Sequence, residues 1–184
     1  MRNILLLFIA IIISFCSCQN NSRIESEIIN LTGRKIVFLD DYHVILTKGK
    51  HDFQKEGGMK VVSYIEDVKC TECAVKMITE WVDCVNNLSS DVEYVIVFGG
   101  MKNDVFEKEL NHLATKCQII SYSSDIFKIH NKLDVLARNR TFLLNKKNEI
   151  VLVGEPFGNE KMKLLYSATI RSLNKKKTTT ISTK

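Results

Sequence analysis

Cys70-Thr71-Glu72-Cys73 places two thiols three residues apart. At the start of a helix, that spacing brings both sulfurs within disulfide reach. It also sets the first sulfur against free backbone N–H groups and the positive end of the helix dipole, which stabilise a thiolate. Lys69 adds to this stabilisation and Glu72 opposes it. An exposed first cysteine of low pKa can attack a substrate disulfide, and a second, more buried cysteine can then resolve the mixed disulfide. Two other uses of the same pair stay open: a structural disulfide and the capture of a metal ion.

The remaining candidates are weaker. Cys84 lies eleven residues after Cys73, three helical turns on, and reads as a small buried hydrophobe; Cys117 opens a strand and reads the same way. A Cys84–Cys117 disulfide is the alternative. His43, His51, His112 and His130 are scattered without ligand spacing. There is no Ser-His-Asp signature, phosphate loop or paired-carboxylate motif. Asp40-Asp41 reads as a turn, and Glu66 and Asp67 flank the cysteine pair without either being assignable as a base. No bound cofactor is expected.

The cysteines must be read by compartment. Met1-Arg2-Asn3 followed by the apolar run Ile4 to Ile13 is too short to span a bilayer comfortably and matches the core of a secretory signal. Ser17 before Cys18 resembles the lipobox of bacterial lipoproteins. That resemblance implies a signal peptide over 1–17, cleavage before Cys18 and a lipid on Cys18. Gln19, rather than Asp, follows the cysteine, so the expected place is the periplasmic face of the outer membrane of a Gram-negative bacterium. Export leaves Cys70, Cys73, Cys84 and Cys117 in an oxidising compartment.

Composition limits the remaining classes. The chain has 184 residues, 45% hydrophobic, enough for one domain with a real core. Of the net charge of +5, one unit is Arg2 and four are the lysines between Lys175 and Lys184, so residues 18–174 are neutral. A neutral body with a short basic tail is a poor nucleic-acid binder, and no nucleic-acid partner is expected.

Periodicity supplies the elements that position the cysteine pair. Residues 18–34 read as a lipid-anchored tether and short helix, and 35–58 as two short strands (Lys35 to Leu39, Val44 to Thr47) around the Asp40-Asp41 turn, then a loop. Met59 to Glu66 is a β-branched strand leading to Cys70. Cys70 to Leu88 has helical period, with Val75, Ile78, Val82, Val85 and Leu88 on one face and Trp81 adjoining. Val92 to Phe98 is a strand for the middle of a sheet. A helix from Asp104 to Lys116 (Val105, Phe106, Leu110 and Leu113 inward), a strand Gln118 to Tyr122 and a helix Ile126 to Leu133 follow. Thr141 to Leu144 and Ile150 to Val153 form a hairpin, Glu160 to Leu173 a closing helix, and 174–184 a flexible basic tail. The expected fold class is α/β, a mixed sheet flanked by helices on both sides.

A C-x-x-C pair between a buried strand and a helix, followed by β-α-β-β-α, resembles the thioredoxin-like superfamily, and among its members the periplasmic thioredoxin-like lipoproteins. The resemblance covers 59–173 and is carried by SYIEDVKCTEC and RTFLLNKKNEIVLVGEPFGN. It implies a helix–strand insertion before the hairpin, Cys70 as nucleophile and Cys73 as resolving thiol. It also implies thiol–disulfide exchange with exported proteins and an unidentified redox partner. The chain departs from the pattern at three places. Lys69 replaces an aromatic residue, Thr-Glu separates the cysteines, and Asn139-Arg140 stands where the family has a cis-proline before the hairpin. Two readings follow: a membrane-anchored oxidoreductase acting through Cys70 and Cys73, or a non-catalytic envelope lipoprotein using the fold as a binding scaffold.

Overall fold

The computed structural model describes residues 22–46, 57–66, 70–100, 108–110, 113, 117–135 and 140–181. The expected leader with Cys18, and the residues Lys69, His51, His112 and Asn139, lie outside these residues. Residues 22–31 form helix α1, which stops at Gly33, whose φ of 84° is left-handed and costs glycine little. The chain continues as β1 (His43–Leu46), β2 (Met59–Ile65), α2 (Thr71–Leu88), β3 (Val92–Gly99) and β4 (Gln118–Tyr122). It ends as α3 (Ile126–His130), β5 (Thr141–Leu144), β6 (Ile150–Val153) and α4 (Glu160–Ile181).

The six strands form one mixed sheet in the order β1-β4-β3-β2-β5-β6. β2, β3 and β4 are parallel neighbours, and the β5–β6 hairpin and β1 pair antiparallel at the two sides. β3 is covered on both faces: Tyr94, Ile96 and Phe98 enter one core while Val95 and Val97 enter the other. An almost unbroken apolar run is what such a strand requires. On the first face α2 buries Ala74, Ile78, Val82 and Val85, and α4 buries Tyr166 and Ile170. Each of the Val and Ile side chains contributes about 1.5–3 kcal/mol by leaving water. Ala74 joins the buried stripe, and the expected Val75, Leu88 and adjoining Trp81 are partly buried against the same core. Leu110 and Leu113 are buried as expected, while Val105 and Phe106 fall outside the described residues.

The other face is covered by the N-terminal segment together with α3. Here the strand expected at Lys35 to Leu39 is not one: only a bridge from Lys35 to Glu149 forms. Gly33 N–H donates to Ile150 O and Ile36 N–H to Asn148 O, both at 2.8 Å, so residues 33–36 run along the outer edge of β6. Phe38, fully buried, then carries the chain across the face, and β1 pairs with β4 at the opposite edge. The unpaired edge of β6 and the pocket for Phe38 draw the two stretches apart, where local pairing around Asp40-Asp41 would have joined them. Asn131 fastens the crossing: its Oδ1 accepts from Val37 N–H at 2.8 Å and its Nδ2 donates to Val37 O at 3.0 Å.

Two helix ends also differ from expectation. α4 does not stop at Leu173 but continues to Ile181, since lysine is a good helix former and no Gly or Pro intervenes. α3 ends at His130, followed by Lys132 at a positive φ of 50°. Among the described residues no helix is long and apolar enough to cross a membrane.

Candidate active site

β2 ends at Ile65, and five residues later Cys70 caps α2 with an extended backbone (φ −136°, ψ 111°). Ala74 N–H donates to Cys70 O at 3.0 Å, the first bond of the helix. Cys70 Sγ takes the place of a capping oxygen: it accepts from Cys73 N–H at 3.3 Å. The Cys73 Sγ lies 2.6 Å from it. Both cysteines are thiols here, with their sulfurs near enough to join as a disulfide.

The two thiols are unequal. Hydrogen bonds from the Cys73 thiol and backbone N–H hold Cys70 below the ordinary thiol pKa. The same contact with Cys70, and the charge it carries, push Cys73 above it. Sequence spacing placed Cys73 deeper than Cys70, but both are exposed, because the first position of α2 to reach the core is Ala74. Glu72, exposed in the first turn of α2 and between the two cysteines in sequence, works against both thiolates.

Cys84 and Cys117 take no part in this pair. Cys84 is half-buried with its Sγ 3.9 Å from Pro156 O, and burial raises its pKa. Cys117 is buried with its Sγ 3.8 Å from Leu113 O. Both are thiols, so the alternative of a disulfide between them is not realised here. His43 and His130 are exposed on separate elements.

Sequence reasoning missed a cluster of charges at the same end of the sheet. Glu66, the residue after β2, binds Lys128 of α3 through one oxygen and Arg140 through the other, at 2.5 Å for Arg140. Arg140 stands directly before β5, where its carbonyl accepts from Tyr64 N–H at 3.0 Å, its Nε donates to Val135 O at 3.3 Å and its guanidinium lies 6.0 Å from the centre of the Tyr64 ring. The hydrogen bonds from Lys128 and then Arg140 hold the Glu66 carboxyl below the usual range. Tyr64 in turn donates to Asp125 at 3.1 Å, and burial with that carboxylate raises its pKa. A Cβ at Gly99 would sit 2.4 Å from the Tyr64 hydroxyl, so only glycine fits beside this pair. No local signal in the sequence pointed to this cluster: the register Ser63↔Thr141, which places Arg140 opposite the end of β2, is set by tertiary pairing.

Neither a protein-family model nor a curated protein matches the sequence. Solved structures are similar in fold, several of them described as thiol–disulfide proteins. The thiol:disulfide interchange protein DsbE of Chlorobium tepidum is similar with TM-score 0.52 and 11% identity over 77% of this chain and 97% of that one. A thiol-disulfide isomerase of Corynebacterium glutamicum gives 0.52 and 12% over 72% and 94%. A thiol-disulfide oxidoreductase of Bacteroides vulgatus gives 0.50 and 15% over 75% and 96%. The chain has the thioredoxin-like fold. Its cysteine pair follows β2, which lies between β3 and β5 inside the sheet, and along the chain β4 and α3 come between β3 and the β5–β6 hairpin.

Proposed function

We propose that the protein is a thiol–disulfide oxidoreductase acting through Cys70 and Cys73, exported and held to the membrane by a lipid on Cys18. One observation carries the redox reading: the pair is exposed at a helix start and electrostatically unequal, with Cys70 biased toward thiolate and Cys73 toward thiol. The thioredoxin-like fold supports it. The Cys70 thiolate attacks one sulfur of a client disulfide, and the other client sulfur leaves as a thiolate. Cys73 then loses its proton and attacks Cys70 Sγ, releasing the client's second thiolate. The client gains two electrons and the pair becomes a disulfide, which an exported dithiol partner must reduce again. The client and the partner are exported thiol or disulfide proteins.

The reduction potential of the pair tests this, with glutathione buffers, alkylation and peptide mass spectrometry. A value between roughly −270 and −120 mV is expected, the range of working oxidoreductases. Cys70→Ser should abolish insulin reduction, and Cys73→Ser should trap a mixed disulfide. A value below about −300 mV would mark a structural disulfide and leave the scaffold reading in its place.

A further inference from the structure

We infer that the domain docks on the lipid bilayer through one face, the outer sides of α1 and α3, with Ile29, Ile126 and Ile129 as its apolar contacts and Val37 beside them. This rests on the lipid proposed for Cys18 and adds to it which side of the domain meets the membrane.

α1 and α3 cover the same face of the sheet: Ile28 and Leu31 of one and Phe127 of the other pack into the same core. Successive helical residues are about 100° apart, so with Ile28 and Leu31 turned inward Ile29 turns outward, where it is 73% exposed. On α3, Ile126 and Ile129 are three residues apart and share one side, 39% and 71% exposed. Asn131, directly after α3, holds the chain that leaves α1. Its carbonyl accepts from Arg34 Nη2 at 2.6 Å, and its side chain bonds the backbone N–H and C=O of Val37, itself an exposed apolar residue.

Leu164 and Leu165 are exposed too, but on α4, which packs on the opposite face of the sheet. The length of chain before α1 decides between the two faces. Gln19, Asn20 and Asn21 alone separate Cys18 from α1, a span of at most about 14 Å. Ile29 lies seven residues into α1, about 10 Å along its axis. Acyl chains on Cys18 therefore enter the bilayer beside the α1–α3 face, with the sheet between them and α4. Isoleucine side chains that leave water for the membrane interface favour the docked state. Exposed charges on the two segments are of both signs, Glu25 and Lys132, so apolar contact rather than attraction to anionic headgroups holds the face down. α2 packs on the far face, so docking leaves Cys70 and Cys73 at its start uncovered.

Tryptophan quenching tests this, because Trp81 on α2 is the one tryptophan of the natural chain. Ile29→Trp, Ile129→Trp and Leu164→Trp variants of the full lipidated chain are placed in phosphatidylcholine vesicles, with and without lipid brominated at the upper part of its acyl chains. Leu164→Trp controls for tryptophan's own affinity for the interface. Brominated lipid should quench at least about half of the emission added by Ile29→Trp and Ile129→Trp, as burial about 5–10 Å into the headgroup boundary implies. Leu164→Trp and Trp81 should keep theirs. Equal quenching at all three added positions overturns the inference, as does quenching at Leu164→Trp alone. So does its absence from both isoleucine positions in a chain that floats with the vesicles, an outcome that leaves the anchor standing. A natural chain that carries no lipid and does not float overturns the anchor itself, and this docking with it.

Discussion

Cys70 and Cys84 belong to one helix and differ in what surrounds their sulfurs. Cys70 is exposed and held toward thiolate by donors from Cys73. Cys84 is half-buried against Pro156 O, and burial drives its pKa up. Because the thiolate is the reacting species, the reduced protein should be alkylated by iodoacetamide first at Cys70, at pH values below 7, and at least about tenfold more slowly at Cys84. Cys117, 3% exposed, should react only when the protein unfolds. Peptide mass spectrometry over a pH series reads all three sites. Labelling of Cys84 ahead of Cys70 below pH 7 would show that the helix start does not activate Cys70.

At the scale of elements, the Glu66 carboxylate joins three of them: the end of β2, α3 through Lys128 and the residue before β5 through Arg140. Its folded pKa is lowered, so the stability it contributes is present above the unfolded value of about 4.3 and is lost as pH falls through the lower folded value. Lys128 shows the reciprocal shift, upward, and its share is present below the unfolded lysine value and lost as pH rises through the folded one. Glu66 is a third exposed, so solvent screens the cluster, and Glu66→Gln should cost about 1 kcal/mol at pH 7. Urea unfolding between pH 7 and 3 checks this. The variant should lose less stability than the natural chain below pH 4.3, and two parallel curves would show that the ion pairs contribute nothing.

At the scale of the whole molecule, the N-terminal segment is part of the domain. Residues 33–36 cover the free edge of β6, Phe38 fills the core under the sheet, and β1 closes the opposite edge. Exposed strand edges invite pairing with other chains; here residues 33–36 border β6 on one side, and on the other the outer strand is β1, only four residues long. The proposed lipid on Cys18 has a geometric consequence. Only Gln19, Asn20 and Asn21 separate it from α1, a reach of at most about 14 Å. The domain would therefore be held close to the bilayer, its partners confined to the same surface. Metabolic labelling with a tagged palmitate should mark the natural chain and not Cys18→Ser, which should move to the soluble fraction. Label retained on Cys18→Ser would rule out this anchor.

The sequence by itself determined the features whose physics is local. The Cys70–Cys73 spacing before a helical period, the two-faced apolar run of β3 and the Asn145–Asn148 hairpin all follow from nearest neighbours along the chain, and each stands where its residues put it. The α/β mixed sheet follows from the alternation of those periods. The tertiary structure decided what depends on distant partners. Arg140 meets Glu66 across 74 residues because β5 pairs with β2 in one register, and Lys35 to Leu39 became a strap because the β6 edge and the Phe38 site lie far away in sequence. The exposure of Cys73 is of the same kind, since it depends on where α2 first touches the sheet, at Ala74. Local periodicity carries no record of which edges remain unpaired or how far a helix projects; packing settles both.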